Sequence, residues 1–272
     1  MRTDHPDPDR RDPDRQARPA ARRQADMSLP ADLATEIRRV AGAATARHRE
    51  LLVSRMEEAV AAFDRHRYQD ALRIGQALAR ELPAVAPVRR LAGFAAYRLG
   101  RWRAAVRHLE AYGELTGDVD HLPALMDCER ALGRPTKVAR RWADLRHRSP
   151  DPDVLAEARI VAVSTLADRG RLAEAITLLT GAGGGRALRN PSGRHLRQWY
   201  VLADLYERAG DIPQARQLFS RLLRAEPEAY DAAERLEALG PPGRRSRSRR
   251  TRAASGRTPA PRSPVPGEPV AR

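Results

Sequence analysis

Three alanines, Ala71, Ala105 and Ala139, recur at intervals of 34 residues. Each follows a turn signal and precedes a further apolar or small residue within four positions. A fixed period of this length marks a chain made of one supersecondary unit repeated. One such unit cannot bury its apolar side alone, so neighbouring units must stack. Ala175 and Ala215 continue the series at steps of 36 and 40. An irregular stretch over residues 181–195, with Gly183-Gly184-Gly185 and Asn190-Pro191-Ser192-Gly193, accounts for the longer last step.

The repeated unit is helical. The chain is 42% hydrophobic but only 4% aromatic, so its core must come from Leu, Ala, Val and Ile. These suit helices packed on helices, and no run alternates β-branched and aromatic residues as a strand would. The segment after residue 195 shows the unit most fully. Trp199, Leu202, Ala203 and Tyr206 fall at i, i+3, i+4 and i+7, one face of a helix. Gly210 ends that helix, Asp211 is placed to cap the next, and Pro213 sits in its first turn, where a missing N–H costs nothing. Ala215, Phe219 and Leu222 make the apolar face of the second helix, and Pro227 stops the pair and starts the next helix.

In this order and spacing Trp199, Leu202, Ala203, Tyr206, Ala215, Phe219 and Pro227 resemble the tetratricopeptide repeat, bacterial type. The resemblance implies an all-α fold: a right-handed α-solenoid of about five antiparallel helix pairs with helical caps and disordered termini. The units are expected at about 52–85, 86–119, 120–155, 156–195 and 196–229. Where the two helices of a pair cross, both side chains should be small: Ala59 with Ala71, and Gly93 with Ala105. In the third and fourth units Asp127 and Val163 stand at the first small position. A helix at 30–47 is expected to cap one end. A helix at 228–239 should cap the other, with Tyr230, Ala233, Leu236 and Leu239 facing the stack and Asp231, Glu234, Arg235 and Glu237 outward.

Three domains follow: a disordered segment over 1–27, the solenoid over 28–240, and a disordered Arg/Pro/Ser-rich tail over 241–272. Residues 1–26 hold no Leu, Ile, Val or aromatic side chain, too little apolar surface to offset chain entropy. Met27 directly precedes a helix entry at Ser28 and Pro30, so it is expected to be the true start. The net charge of +15 is unevenly spread. Residues 241–272 carry nine arginines against Glu268, residues 1–26 carry seven arginines against six aspartates, and +6 remains for 27–240. Lys137 is the only lysine, so 49 of the 50 basic residues are arginine. Such a bias points to a GC-rich coding sequence rather than to nucleic acid.

The resemblance also implies a function, a non-enzymatic adaptor that holds a partner peptide or helix in the concave groove lined by the first helix of each pair. It places Arg90, Phe94, Tyr97 and Arg98 in the groove of the second unit, and Arg197, Tyr200, Asp204, Glu207 and Arg208 in that of the fifth. Aromatic and Arg side chains are the usual anchors of interfaces. A subclass of the family grips a partner's C-terminal carboxylate with Lys and Asn in the groove; with Lys137 on a second helix and Asn190 in the insertion, that clamp is absent. The alternative function is nucleic-acid or anionic-surface association through Arg244, Arg245, Arg247, Arg249, Arg250 and Arg252, weak and non-specific because the tail has no aromatic residue for base stacking. Self-association through open solenoid ends is a third route.

No catalytic, cofactor or metal site is expected. Cys128 reads as a structural cysteine inside a helix, and as the lone cysteine it excludes a disulfide framework and suits the cytoplasm. Asp118, Asp120 and His121 stand at a helix entry, where capping and solvation account for them. Gly181–Gly185 lacks the Gly-Lys-Ser/Thr ending of a phosphate loop and reads as a linker. His66, His108, His147 and His195 lack metal-ligand spacing. No stretch is long and apolar enough to span a membrane.

Overall fold

The computed structural model describes residues 32–148 and 151–241. Contacts divide the chain into two units, Met1–Pro241 and Pro242–Arg272, and everything described below lies in the first. The expected disorder at both ends, the helix entry at Ser28 and Pro30 and the Arg-rich tail lie outside the described residues.

Among the described residues the fold is all helical. A short α1 (Leu33–Val40) precedes five antiparallel pairs: α2 (Ala46–Asp64) with α3 (Tyr68–Glu81), α4 (Ala86–Arg98) with α5 (Trp102–Thr116), α6 (Leu122–Ala131) with α7 (Pro135–His147), α8 (Pro152–Asp168) with α9 (Leu172–Gly181), and α10 (Gly193–Arg208) with α11 (Ile212–Ala225). A last short helix, α12 (Ala232–Ala238), closes the stack. Each first helix touches the next first helix, α2 to α4, α4 to α6, α6 to α8 and α8 to α10. Successive second helices hardly meet. The first helices therefore lie on the inside of the curve.

One turn sets the register of all five pairs. Each first helix ends in a residue with positive φ: His66, Gly100, Gly133, Gly170 and Gly210. The amide after it donates to a carbonyl five residues back, Arg67 to Ala62 at 2.8 Å, Arg134 to Glu129 at 2.9 Å and Asp211 to Tyr206 at 2.8 Å among them. This is the Schellman closure, which satisfies carbonyls the helix end would leave bare. The residue five positions after the turn is then always buried at the start of the second helix: Ala71, Ala105, Val138, Ala175 and Ala215, each at most 1% exposed. The 34-residue recurrence is thus corrected at Ala139, which is exposed; Val138 takes its place because Gly133 arrives one residue early. On α6 the matching shift buries Met126 and leaves Asp127 at the edge. His66 is the one non-glycine in this turn; left-handed backbone crowds its Cβ, which glycine avoids.

Small side chains stand at the crossings as expected. Ala59, Ala71, Ala203 and Ala215 are fully buried. A Cβ on Gly93 would lie 2.6 Å from Leu109 Cδ2, so α4 and α5 approach as closely as backbone allows there. Trp199, Leu202, Phe219 and Leu222 fill the core of the fifth pair, and Tyr206 packs at its edge.

Four boundaries differ from the sequence expectation. No single helix runs over 30–47. The Ala41 amide closes α1 onto Ile37, and Thr45 caps a new helix by accepting from the His48 amide at 3.2 Å, so the first pair begins at Ala46. The fourth pair begins at Pro152, because Asp151 caps it with an Asp153 contact of 2.7 Å. At the C-terminal end Tyr230 takes positive φ, which delays α12 to Ala232, so Pro227 starts no helix. Ala232 rather than Ala233 is buried, and Asp231 and Arg235 turn toward the stack instead of outward. The insertion over 182–192 is a docked wall rather than a loose linker. The Trp199 indole donates to Arg186 O at 3.1 Å, Arg221 donates to Gly185 O at 2.7 Å, and a Cβ on Gly184 would strike Leu179 O at 2.7 Å.

Candidate functional site

The first-helix face is laced by polar bonds that cross from one repeat to the next. Arg90 on α4 pairs with Asp120 at 3.2 Å, and the Tyr97 hydroxyl donates to Asp127 on α6 at 2.9 Å. Arg130 holds Asp127 at 3.0 Å on its own helix and reaches Asp168 on α8 at 2.8 Å. Arg197 on α10 forms an ion pair with Glu157 on α8. Arg208 donates to the Ala167 carbonyl at 2.9 Å. Finally α12 is tied back: the Tyr200 hydroxyl donates to Asp231 at 2.7 Å, and Arg235 bonds Asp204 at 2.8 Å and Glu207 at 2.6 Å. Arg130–Asp127 apart, these partners lie 28 to 41 positions from one another, about one repeat.

The electrostatics follow from this half-buried setting. Burial pushes the Tyr200 phenol well above its usual range, and the hydrogen bond to Asp231 adds to the rise. Burial alone would weaken the charge on Arg235, but Asp204, Tyr200 and Glu207 together reverse this and raise it. Glu157 is raised by burial despite the opposing charge of Arg197. Arg side chains suit such sites because their fork keeps several donors engaged at once.

This geometry corrects two of the groove residues. Phe94 is fully buried and lies beneath the Arg90 guanidinium, 5.7 Å from it, so it faces core rather than partner. Tyr200 is 4% exposed, wedged against Phe219 and Tyr230. Both rings are therefore part of the packed stack rather than of an open face. Arg90, Tyr97, Arg197, Asp204 and Glu207 stand on the inner face, but as ligatures between repeats. Arg98 lies over the Tyr68 ring at 5.8 Å. Arg208 keeps 41% of its side chain in solvent, and Asp168, which the sequence did not single out, keeps 49%. One and two turns before Asp168, α8 also presents Ser164 and Ile160, both part exposed. The charge partners at repeat spacing were the signal that could have found Asp127, Asp168, Asp231 and Arg235.

The other candidate groups have structural work. Asp118 accepts from the amides of Val119 and Asp120 and from the Tyr112 hydroxyl at 3.0 Å, closing a turn. His121 is buried over Gly113, where a Cβ would come within 2.8 Å of its ring, so it is packed rather than solvated. Cys128 is fully buried, and burial drives its thiol far up, away from the nucleophilic thiolate. Beside it, Glu129 is buried against Arg141 at 2.9 Å, which also reaches Glu110 at 2.5 Å on the preceding repeat. His195 completes a capping box with Ser192. No described helix is long and apolar enough to cross a membrane.

A stack of helix pairs with its first helices aligned inside defines a helical-repeat scaffold. The family model described as "Tetratricopeptide repeat" matches residues 196–239. Among solved structures, TTC0263, a thermophilic TPR protein in Thermus thermophilus, is 18% identical, with a TM-score of 0.53, and the match covers 69% of this chain and 98% of that one. YrrB, a TPR protein with an unusual peptide-binding site, is 15% identical over 67% of this chain and 90% of its own, with a TM-score of 0.45. A search of curated proteins finds no match. Residues 196–239 therefore match a tetratricopeptide repeat, and the likeness to TTC0263 is one of fold.

Proposed function

We propose that this chain is a non-enzymatic scaffold that holds a segment of a partner protein, an extended peptide or a helix, along its first-helix face. The observation that carries this is the lacing itself. Arg90–Asp120, Arg130–Asp168 and Arg197–Glu157 fix successive first helices against one another. A surface set in advance loses little freedom when a partner arrives. Its open part is the stripe of Ile160 and Ser164 on α8 with Asp168 and Arg208 at its margin, a mixed apolar and charged strip that suits a peptide better than a small metabolite. A cytoplasmic setting goes with this reading, since the single buried thiol needs no oxidising compartment.

Substitution of Arg90, Tyr97 or Tyr200 would disturb the scaffold along with any site, so exposed positions make the better test. In a crosslinking pull-down from native cells, Ile160→Glu with Ser164→Arg, both part exposed on α8, should lose the partners that the unaltered chain retains, with helicity unchanged by circular dichroism. An identical partner list would count against the first-helix face.

A further inference from the structure

A second cleft, away from the first-helix face, opens between the insertion and the last repeat. It encloses about 390 Å³. Leu202, Tyr206 and Leu218 line it with apolar surface, and Arg186, Arg221, Gln214 and Gln217 line it with polar groups. No carboxylate lines it. That is unusual in this chain, where the arginines of the inner face are held by aspartate and glutamate. The insertion over 182–192 and the whole of α11 carry Arg186, Arg189, Arg216, Arg221 and Arg224 and no acidic residue. Among the described residues Arg186 is exposed and Arg221 is held by Gly185 O and the Trp199 ring, 5.4 Å away, so neither has a carboxylate partner. The wall is also built to a fixed shape: Gly184 and Gly185 pack so closely on Leu179 and Leu202 that a side chain at either would collide or crowd.

We propose that this cleft binds an acidic peptide segment that carries an aliphatic or aromatic side chain. The apolar side chain rests against the part-exposed Tyr206 ring, over the floor that Leu202 and Leu218 form, and flanking carboxylates meet Arg186, Arg221 and the Gln214 and Gln217 amides. The inference is independent of the first-helix face: it uses the residues that interrupt the repeat rather than those that make it. Charge complementarity of this kind sets specificity and speeds encounter.

The test uses the full chain and a fluorescein-labelled peptide of repeated Glu-Leu-Glu-Glu-Phe, read by fluorescence anisotropy. The unaltered chain should bind it. Arg186→Glu and Gln217→Glu should each weaken binding about tenfold by placing a carboxylate in the cleft, while Ile160→Glu with Ser164→Arg on the first-helix face should leave it unchanged. The Arg186 side chain is exposed and only its carbonyl holds Trp199, so that variant keeps the wall; an unchanged melting curve verifies this. The proposal is overturned if the chain does not bind the peptide, if both cleft variants bind as the unaltered chain does, if a poly-glutamate of equal charge binds as tightly, or if single-stranded RNA binds more tightly and shows the same losses.

Discussion

Asp204 on α10 and Arg235 on α12 stand 31 positions apart in sequence and 2.8 Å apart in space. The same guanidinium reaches Glu207 at 2.6 Å and lies over the Phe219 ring at 4.8 Å, with only 13% of its side chain in solvent. With the Tyr200–Asp231 bond and the buried Ala232, this side chain holds a short terminal helix on the last repeat. Arg235→Met keeps the stem and removes the charge. Its expected cost is about 1–3 kcal/mol, below that of a fully buried pair because Asp204 and Glu207 remain part solvated. In a stack where each repeat touches only its neighbours, the damage should stay local. Amide exchange should quicken in α10 to α12 and hold steady in α2 to α5.

Gly93→Ala sets two effects against each other. Alanine favours a helix by about 1 kcal/mol. The added Cβ would sit 2.6 and 2.8 Å from Leu109 Cδ2 and Cγ, with the Leu109 backbone nitrogen at 3.3 Å. Overpacking of this kind costs roughly 1–3 kcal/mol. The net expected outcome is a lower urea midpoint; a rise would mean that Leu109 yields freely.

His108 makes the fold sensitive to acid. It is 2% exposed, and neither ring nitrogen has a hydrogen-bond partner. Burial, then the charges of Arg107 and Arg89, hold its pKa down to about 4 from 6.5. The unfolded chain therefore binds more protons at this residue between those values. Stability from a neutral His108 is complete above the unfolded pKa and is lost as pH falls toward the folded one, about 2–3 kcal/mol in all. His108→Leu should flatten that part of the pH profile. Urea midpoints at about pH 7 and about pH 4.5 for both chains give the comparison.

The register argument makes its own prediction. Ala215→Leu should cost roughly 1–3 kcal/mol by overpacking a closed crossing. Val138→Ala should cost a similar amount by leaving a gap in the third pair, whereas Ala139→Leu, on an exposed face, should stay within about 0.5 kcal/mol. Thermal melts of the three would rank them; a large loss from Ala139→Leu would restore the plain 34-residue period.

The core of the fifth pair was legible because Trp199, Leu202, Ala203, Tyr206, Ala215 and Phe219 all pack in or against it, and core spacing is local. The third pair was misplaced by one residue because a fixed period is a weaker rule than the turn: Gly133 fixes Val138 through backbone geometry, whatever the interval from Ala105. The periodicity put Phe94 and Tyr200 on an open groove, whereas both rings are buried. Periodicity says which side of a helix a residue occupies, and it is silent on the neighbour that covers that side. Tyr200 is covered from about 30 positions away, by Tyr230 and Asp231. The insertion read as a linker because its glycines suit one; its anchors, Trp199 and Arg221, lie in the next repeat.

The claim that the first-helix face is the docking surface is tested most directly by site-specific photocrosslinking in native cells. A benzophenone side chain placed at Ser164, on the inner stripe of α8, should trap a discrete protein partner. The same group at Thr177, exposed on the second helix α9, should not. Equal trapping at both positions, or trapping at Thr177 alone, would contradict the account.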